Sequence, residues 1–266
     1  MRTVITKKLP LREMYVWELP VRIFHWVNAF CITFLIITGF IIAYPPAILS
    51  GTGAQQFGYW FGYLRFTHLT LGLILIINFL VRFYWFFAGN KFAKWNNYVP
   101  LTKRQWKGIF ETVKVDVFLL TPKPIYDIGH NSLAATTYLG VFVLIIVQAV
   151  TGLAMWSAAS EAPGAGLFQD FLFKAGGFFF LRHLHYMVMW LFILFIIAHV
   201  YLVFYHDYIE RNGIASSIIG GWKFIDERLA KDYVNELNAT EELDKKKHEI
   251  KELEKEVKET KAKHNG

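Results

Sequence analysis

The sequence predicts an all-α integral membrane protein: a four-transmembrane-helix bundle with N and C termini cytoplasmic, plus interfacial helices and a charged C-terminal tail. Three observations predict it. Of 266 residues, 55% are hydrophobic and 18% aromatic, and four apolar runs reach the roughly 18 to 20 residues that cross a bilayer. The basic residues are unevenly shared among the loops. Histidines recur inside the runs, where an imidazole is expensive and is a functional candidate by default.

The spans run at about Phe24 to Tyr44, Phe66 to Ala88, Ser132 to Trp156 and Leu184 to His206. They fall in one domain, residues 1–235, followed by the tail, 236–266. The first span is too long for a cleavable signal peptide, and Pro45 and Pro46 stand where a small-residue cleavage site would be. Between spans two and three, Trp106, Phe110, Val113, Val117 and Leu120 recur at spacings of four, three, four and three. That period predicts a helix lying on the membrane surface. Thr102 and Gln105 form a capping box at its start, with Leu101 and Trp106 as a staple. The loop from Ser157 to Arg182 is glycine-rich and aromatic, and suits contact with an extracytoplasmic partner. Residues 207–235 keep Ile218, Trp222, Phe224, Ile225 and Leu229, which predicts a further interfacial segment. From Asn238 the chain is charged. Ala239, Leu243, Ile250, Leu253, Val257 and Thr260 follow a heptad that Lys246 interrupts. That is too short for a coiled-coil seam, so a solvated helix or frayed tail is expected.

The net charge of +7 raises a nucleic-acid reading, which its distribution excludes. Arg2, Lys7, Lys8, Arg12 and Arg22 precede span one, and Lys91, Lys94, Lys103, Arg104, Lys107, Lys114 and Lys123 lie between spans two and three. The other two loops carry only Arg65, Lys174 and Arg182. By the positive-inside rule both termini are cytoplasmic and the basic excess is a topology signal. The one cysteine, Cys31, reads as a small packing residue. It is too few for a disulfide or an iron–sulfur cluster, and no C-x-x-C-H exists for covalent haem attachment.

The histidines are the most specific signal. His185 and His199 sit fourteen residues apart on span four. On a helix that is about 21 Å of rise, with a return to within about 40° of the same face. One helix thus offers imidazoles at two depths. The alternating topology puts His25 near the cytoplasmic edge of span one and His68 near the outer edge of span two. Depth pairs His25 with His199 and His68 with His185, each pair able to clamp the iron of one b-type haem. Two axial imidazoles leave no open position, which favours electron transfer over oxygen chemistry. His206, seven residues past His199, rivals it as a partner for His25. The same fourteen-residue step leads from His25 to Gly39, where the helix can approach a porphyrin face. It leads from His68 to Arg82, a candidate partner for a haem propionate, the alternative being snorkelling to the surface. The alternative is a haem-free anchor or scaffold in which the histidines serve only helix packing.

These residues carry a resemblance to a known family. YVWELPVRIFHWVNAF with His25, GYLRFTHLTLG with His68, GHNSLA with His130 and Asn131, and RHLHYMVMW followed by AHVYLVFYH are together specific. Over residues 15 to about 225 the chain resembles the b-type cytochrome subunit of membrane-bound nickel–iron hydrogenases. Ser132 stands where those relatives usually have proline, and the tail lies outside the resemblance. The resemblance implies two haem b groups on His25, His68, His185 and His199, which favours His199 over His206. It implies a cytoplasmic (inner) membrane location and assembly with an iron–sulfur small subunit, its membrane helix, and a large nickel–iron subunit that splits hydrogen. This chain would take electrons from the small subunit through the outer and then the inner haem to a membrane quinone, menaquinone or ubiquinone. The cytochrome subunits of formate dehydrogenases share the same scheme and are the alternative. Asp127, His130 and Asn131 open span three at the cytoplasmic face, and His130 and Asn131 have the hydrogen-bonding chemistry of a quinone site. Asn131 also suits a helix N-cap.

Overall fold

Four long apolar helices dominate the computed structural model, which describes residues 11–46, 59–116, 118, 128–158, 160, 165–228, 230–232, 234, 235, 238 and 246. In chain order the elements are β1 (Leu11–Tyr15), α1 (Leu19–Ala43), α2 (Trp60–Ala88), α3 (Lys103–Asp116), α4 (Ser132–Ser157), α5 (Ala165–Lys174), α6 (Gly177–Glu210), α7 (Ile214–Gly220) and β2 (Trp222–Asp226). Helices α1, α2, α4 and α6 are long and apolar enough to cross a membrane. The chain divides into two units, residues 15–223 and residues 1–14 with 224–266.

In the larger unit the spans fall where hydropathy places them, with longer ends. Helix α1 begins at Leu19 rather than Phe24, because Pro20 fits a first turn whose N–H groups lack intrahelical partners. Helix α6 runs from Gly177, set off by the left-handed Gly176 (φ 105°), to Glu210. Its 34 residues amount to about 51 Å of helix, well beyond the roughly 30 Å of a hydrocarbon core. Cys31, Leu75, Phe142, Ile145 and Phe192 share the buried core, so the cysteine packs as expected. A polar clamp ties α1 to α2, where Asn78 Nδ2 donates to the Phe24 carbonyl at 3.0 Å and to Asn28 Oδ1 at 2.8 Å. Such bonds bind helices where hydrophobicity cannot discriminate protein from lipid. Leu80, Phe83 and Phe87 on α2, and Leu194, Ile197 and Phe204 on α6, remain exposed, as lipid-facing side chains must.

The capping box of α3 forms as the sequence predicts. Gln105 N donates to Thr102 Oγ1 at 3.2 Å, and Thr102 N donates to Gln105 Oε1 at 2.9 Å. Trp106 and Phe110 are exposed on this helix; Val117 and Leu120 lie outside the described residues. Two elements depart from expectation. The outer loop contains α5, whose LFQDFLFK pattern was hidden between glycine clusters. The interfacial segment after His206 resolves into α7 and β2, and β2 pairs with β1 in a two-stranded ribbon. Its alternation is inverted, with Trp222 and Phe224 outward and Lys223 and Ile225 buried, so a hydrophobic-in pattern could not reveal it.

In the smaller unit, Arg12 donates to Glu227 Oε1 at 2.8 Å and Lys231 lies 3.4 Å from the same oxygen. These two cations hold the Glu227 carboxyl below its usual range. Of the tail, only Asn238 and Lys246 are described, and the rest of its heptad lies outside the described residues.

Candidate functional site

Two imidazole pairs face each other across helices. The rings of His25 on α1 and His199 on α6 have centroids 6.2 Å apart, tilted by 51°. Those of His68 on α2 and His185 on α6 are 6.3 Å apart, tilted by 58°. Two metal–nitrogen bonds of about 2 Å, plus the inner half of each ring, span about 6 Å. Both separations therefore suit one iron between two imidazoles, and the donor set fits b-type haem. His206 is placed otherwise: its Nδ1 lies 3.1 Å from Glu210 Oε1, one turn along α6.

Each ring has its own surroundings. Thr38 Oγ1 lies 2.8 Å from His68 Nδ1, and Thr151 Oγ1 lies 2.9 Å from His185 Nδ1. His199 Nδ1 lies 3.3 Å from the Tyr138 hydroxyl and its ring stacks on Phe195 at 5.3 Å. His25 Nδ1 is buried with no hydrogen-bond partner among the described residues. Gly39 is in place beside the second pair: a methyl there would stand 3.5 Å from His68 Cε1 and 3.8 Å from Met189 Sδ.

Arg82 is 2% exposed, which removes the snorkelling alternative. Its Nη2 donates to the Ala93 carbonyl at 3.1 Å and to the Tyr98 hydroxyl at 2.8 Å. Its guanidinium carbon lies 4.3 Å from the Phe86 ring centre, 5.3 Å from Tyr98 and 5.8 Å from Phe24. Burying the cation costs several kcal/mol, which hydrogen bonds to a charge, at about 1.5–3 kcal/mol each, partly offset. Yet Nη1 finds no partner among the described residues. The chemistry of that nitrogen calls for an anion.

His130 sits within an aromatic cage. Trp17, Tyr138 and Tyr98 have ring centres 4.4, 4.7 and 5.9 Å away. Its imidazole is pushed down to about 3, first by burial and then by the charges of Lys223 and Arg82. It is thus neutral at physiological pH, with one N–H donor and one acceptor nitrogen. Tyr98 is pushed up by burial, with Arg82 opposing. Asn131 takes the N-cap of α4, its Oδ1 accepting from Ala134 N at 2.7 Å, so the oxygen is committed and the amide nitrogen is the available donor. Asp127 lies outside the described residues. Reading the sequence missed Trp17, Thr38, Tyr98, Tyr138 and Thr151. The one available signal was a Thr-Gly pair repeated in mid-span, Thr38-Gly39 and Thr151-Gly152.

Comparison with known proteins identifies the family. A family model described as prokaryotic cytochrome b561 matches residues 16–221. The probable Ni/Fe-hydrogenase B-type cytochrome subunit of Rhodobacter capsulatus is 36% identical over 226 residues, 82% of this chain and 84% of the relative. That of Azotobacter vinelandii is 35% identical over 224 residues, covering 81% and 90%. The probable Ni/Fe-hydrogenase 1 B-type cytochrome subunit of Escherichia coli K12 is 31% identical over 214 residues, covering 79% and 90%. The chain belongs to the prokaryotic cytochrome b561 family, as a multi-pass membrane cytochrome similar to the b-type cytochrome subunits of nickel–iron hydrogenases.

Proposed function

We infer that this chain is the membrane-anchoring di-haem cytochrome b subunit of a respiratory nickel–iron hydrogenase, passing electrons from the iron–sulfur small subunit to a membrane quinone. One observation carries the reading: two cross-helix imidazole pairs, with centroids 6.2 and 6.3 Å apart, share α6. His68 and His185 hold one haem, and His25 and His199 hold the other. When bound, the haems supply one-electron transfer between the two depths. Arg82 offers Nη1, without a hydrogen-bond partner among the described residues, to a propionate. His130 and the Asn131 amide nitrogen donate hydrogen bonds to quinone carbonyls, and the aromatic cage around His130 supplies a flat apolar wall. The small subunit, its membrane helix and the large subunit are the partners, by analogy with the relatives. The hydrogen-splitting chemistry belongs to them, while this chain is the quinone-reducing subunit of a hydrogen:quinone oxidoreductase. A formate dehydrogenase or another quinone-coupled partner would use the same cytochrome, and the metal that co-purifies, nickel against molybdenum or tungsten, separates the two.

The deciding experiment is a reduced-minus-oxidised optical spectrum of the purified complex with haem counted per chain. The expected result is b-type bands and two haems, with one lost in His68→Ala or His199→Ala. A protein without b-type bands would leave only an anchor.

A further inference from the structure

We propose that the Thr38-Gly39 and Thr151-Gly152 pairs are positioning residues that hold His68 and His185 as Nδ1–H tautomers, leaving Nε2 of each ring as the iron-binding nitrogen. The proposal rests on the haem reading above and names the side chains that orient one of its two ligand pairs.

A threonine hydroxyl has one proton and two lone pairs. Thr38 Oγ1 lies 2.7 Å from the Phe34 carbonyl and 3.2 Å from that of Leu35. Carbonyls only accept, so the proton is spent there. The bond of 2.8 Å to His68 Nδ1 must then run the other way, with Nδ1–H donating to oxygen. Thr151 repeats every part, at 2.7 Å to the Val147 carbonyl, 3.2 Å to that of Gln148 and 2.9 Å to His185 Nδ1. In a neutral imidazole a protonated Nδ1 leaves Nε2 as the only lone pair.

The glycines complete the seat. A methyl at Gly152 would stand 3.3 Å from His185 Cε1, and one at Gly39 would stand 3.5 Å from His68 Cε1. Each threonine thus fixes the tautomer; at Gly152 the missing methyl also lets the ring lie close, while at Gly39 the ring stands at ordinary contact distance. Helix α1 seats a ring of α2, and α4 seats a ring of α6, so the device is built twice on separate helices. The other pair lacks it: His25 Nδ1 has no partner among the described residues, and His199 Nδ1 has a phenol at 3.3 Å. An Nδ1–H that donates makes Nε2 more basic, which favours oxidised iron. The His68/His185 pair should therefore hold its haem at a lower potential than it would without the hydroxyls.

The test uses the intact complex in detergent, with haem counts, a redox titration and low-temperature EPR of the oxidised protein. Thr38→Val and Thr151→Val should each raise the midpoint of one haem, change its low-spin signal and leave the other haem unmoved. Thr38→Ser and Thr151→Ser, which keep the hydroxyl, should restore both. Loss of one haem in the valine variant but not in the serine variant supports the proposal equally. Valine variants with unchanged midpoints and signals overturn it, as does the same haem loss in valine and serine variants. If a valine variant fails to accumulate, the alanine variant removes the hydroxyl without bulk and is read the same way. A wild-type complex without b-type haem would instead overturn the underlying reading, before any variant is made.

Discussion

Arg82 shows at the scale of one residue what a buried charge demands. Its aromatic neighbours contribute about 0.5–2 kcal/mol each as cation–π contacts, and its two acceptors satisfy Nη2. Neither supplies a counter-charge. If a propionate does, Arg82→Gln should lower the midpoint of the haem on His25 and His199. Two unit charges about 10 Å apart interact by on the order of 1–2 kcal/mol at an effective dielectric near 20, which sets the scale of the expected shift. Redox titration reads this directly, and an unchanged midpoint removes the propionate role. The sequence located Arg82 through a fourteen-residue step from His68, since helix periodicity is regular enough to extrapolate. It did not locate Thr38 or Thr151, because a threonine bonding back to its own helix is commonplace. Only three-dimensional placement shows which imidazole the second lone pair meets.

Single helices carry the next level. Asn131 caps α4, and losing a cap costs about 1 kcal/mol. Asn131→Asp keeps the oxygen and adds a charge that suits a helix N-terminus, so it separates structure from chemistry. Asn131→Ala should lower both thermal stability and quinone turnover. Asn131→Asp should preserve stability and lower turnover alone, measured as hydrogen-to-quinone activity at constant haem content. Full activity in both Asn131→Asp and His130→Ala would end the quinone assignment. The four spans and the α3 capping box were legible because length, hydropathy and local pairing are encoded within each segment. The ribbon of β1 and β2 was not. It joins residues some two hundred positions apart and buries a lysine, so no local pattern announces it. Helix α5 was masked by the glycines on either side of it.

For the molecule as a whole, one long helix contributes an imidazole at each of two depths, and facing helices complete both pairs. On the proposed route and with the positive-inside orientation, negative charge would pass inward while quinone takes protons from the cytoplasm. Turnover should therefore be electrogenic, at about 2.3 kcal/mol per charge per 100 mV. Proteoliposomes of the complete complex should report a membrane potential during hydrogen-to-quinone turnover, and none would refute this geometry. The fourteen-residue interval on α6 also limits how such a chain can vary. Substitutions along the interval change side chains but keep the register. Inserting or deleting a single residue between His185 and His199 swings one imidazole about 100° around the helix relative to the other. Loops absorb length changes without such a penalty. The interval is thus a ruler whose graduations can be repainted but not moved: relatives can drift far apart in composition here and still have to agree on its length.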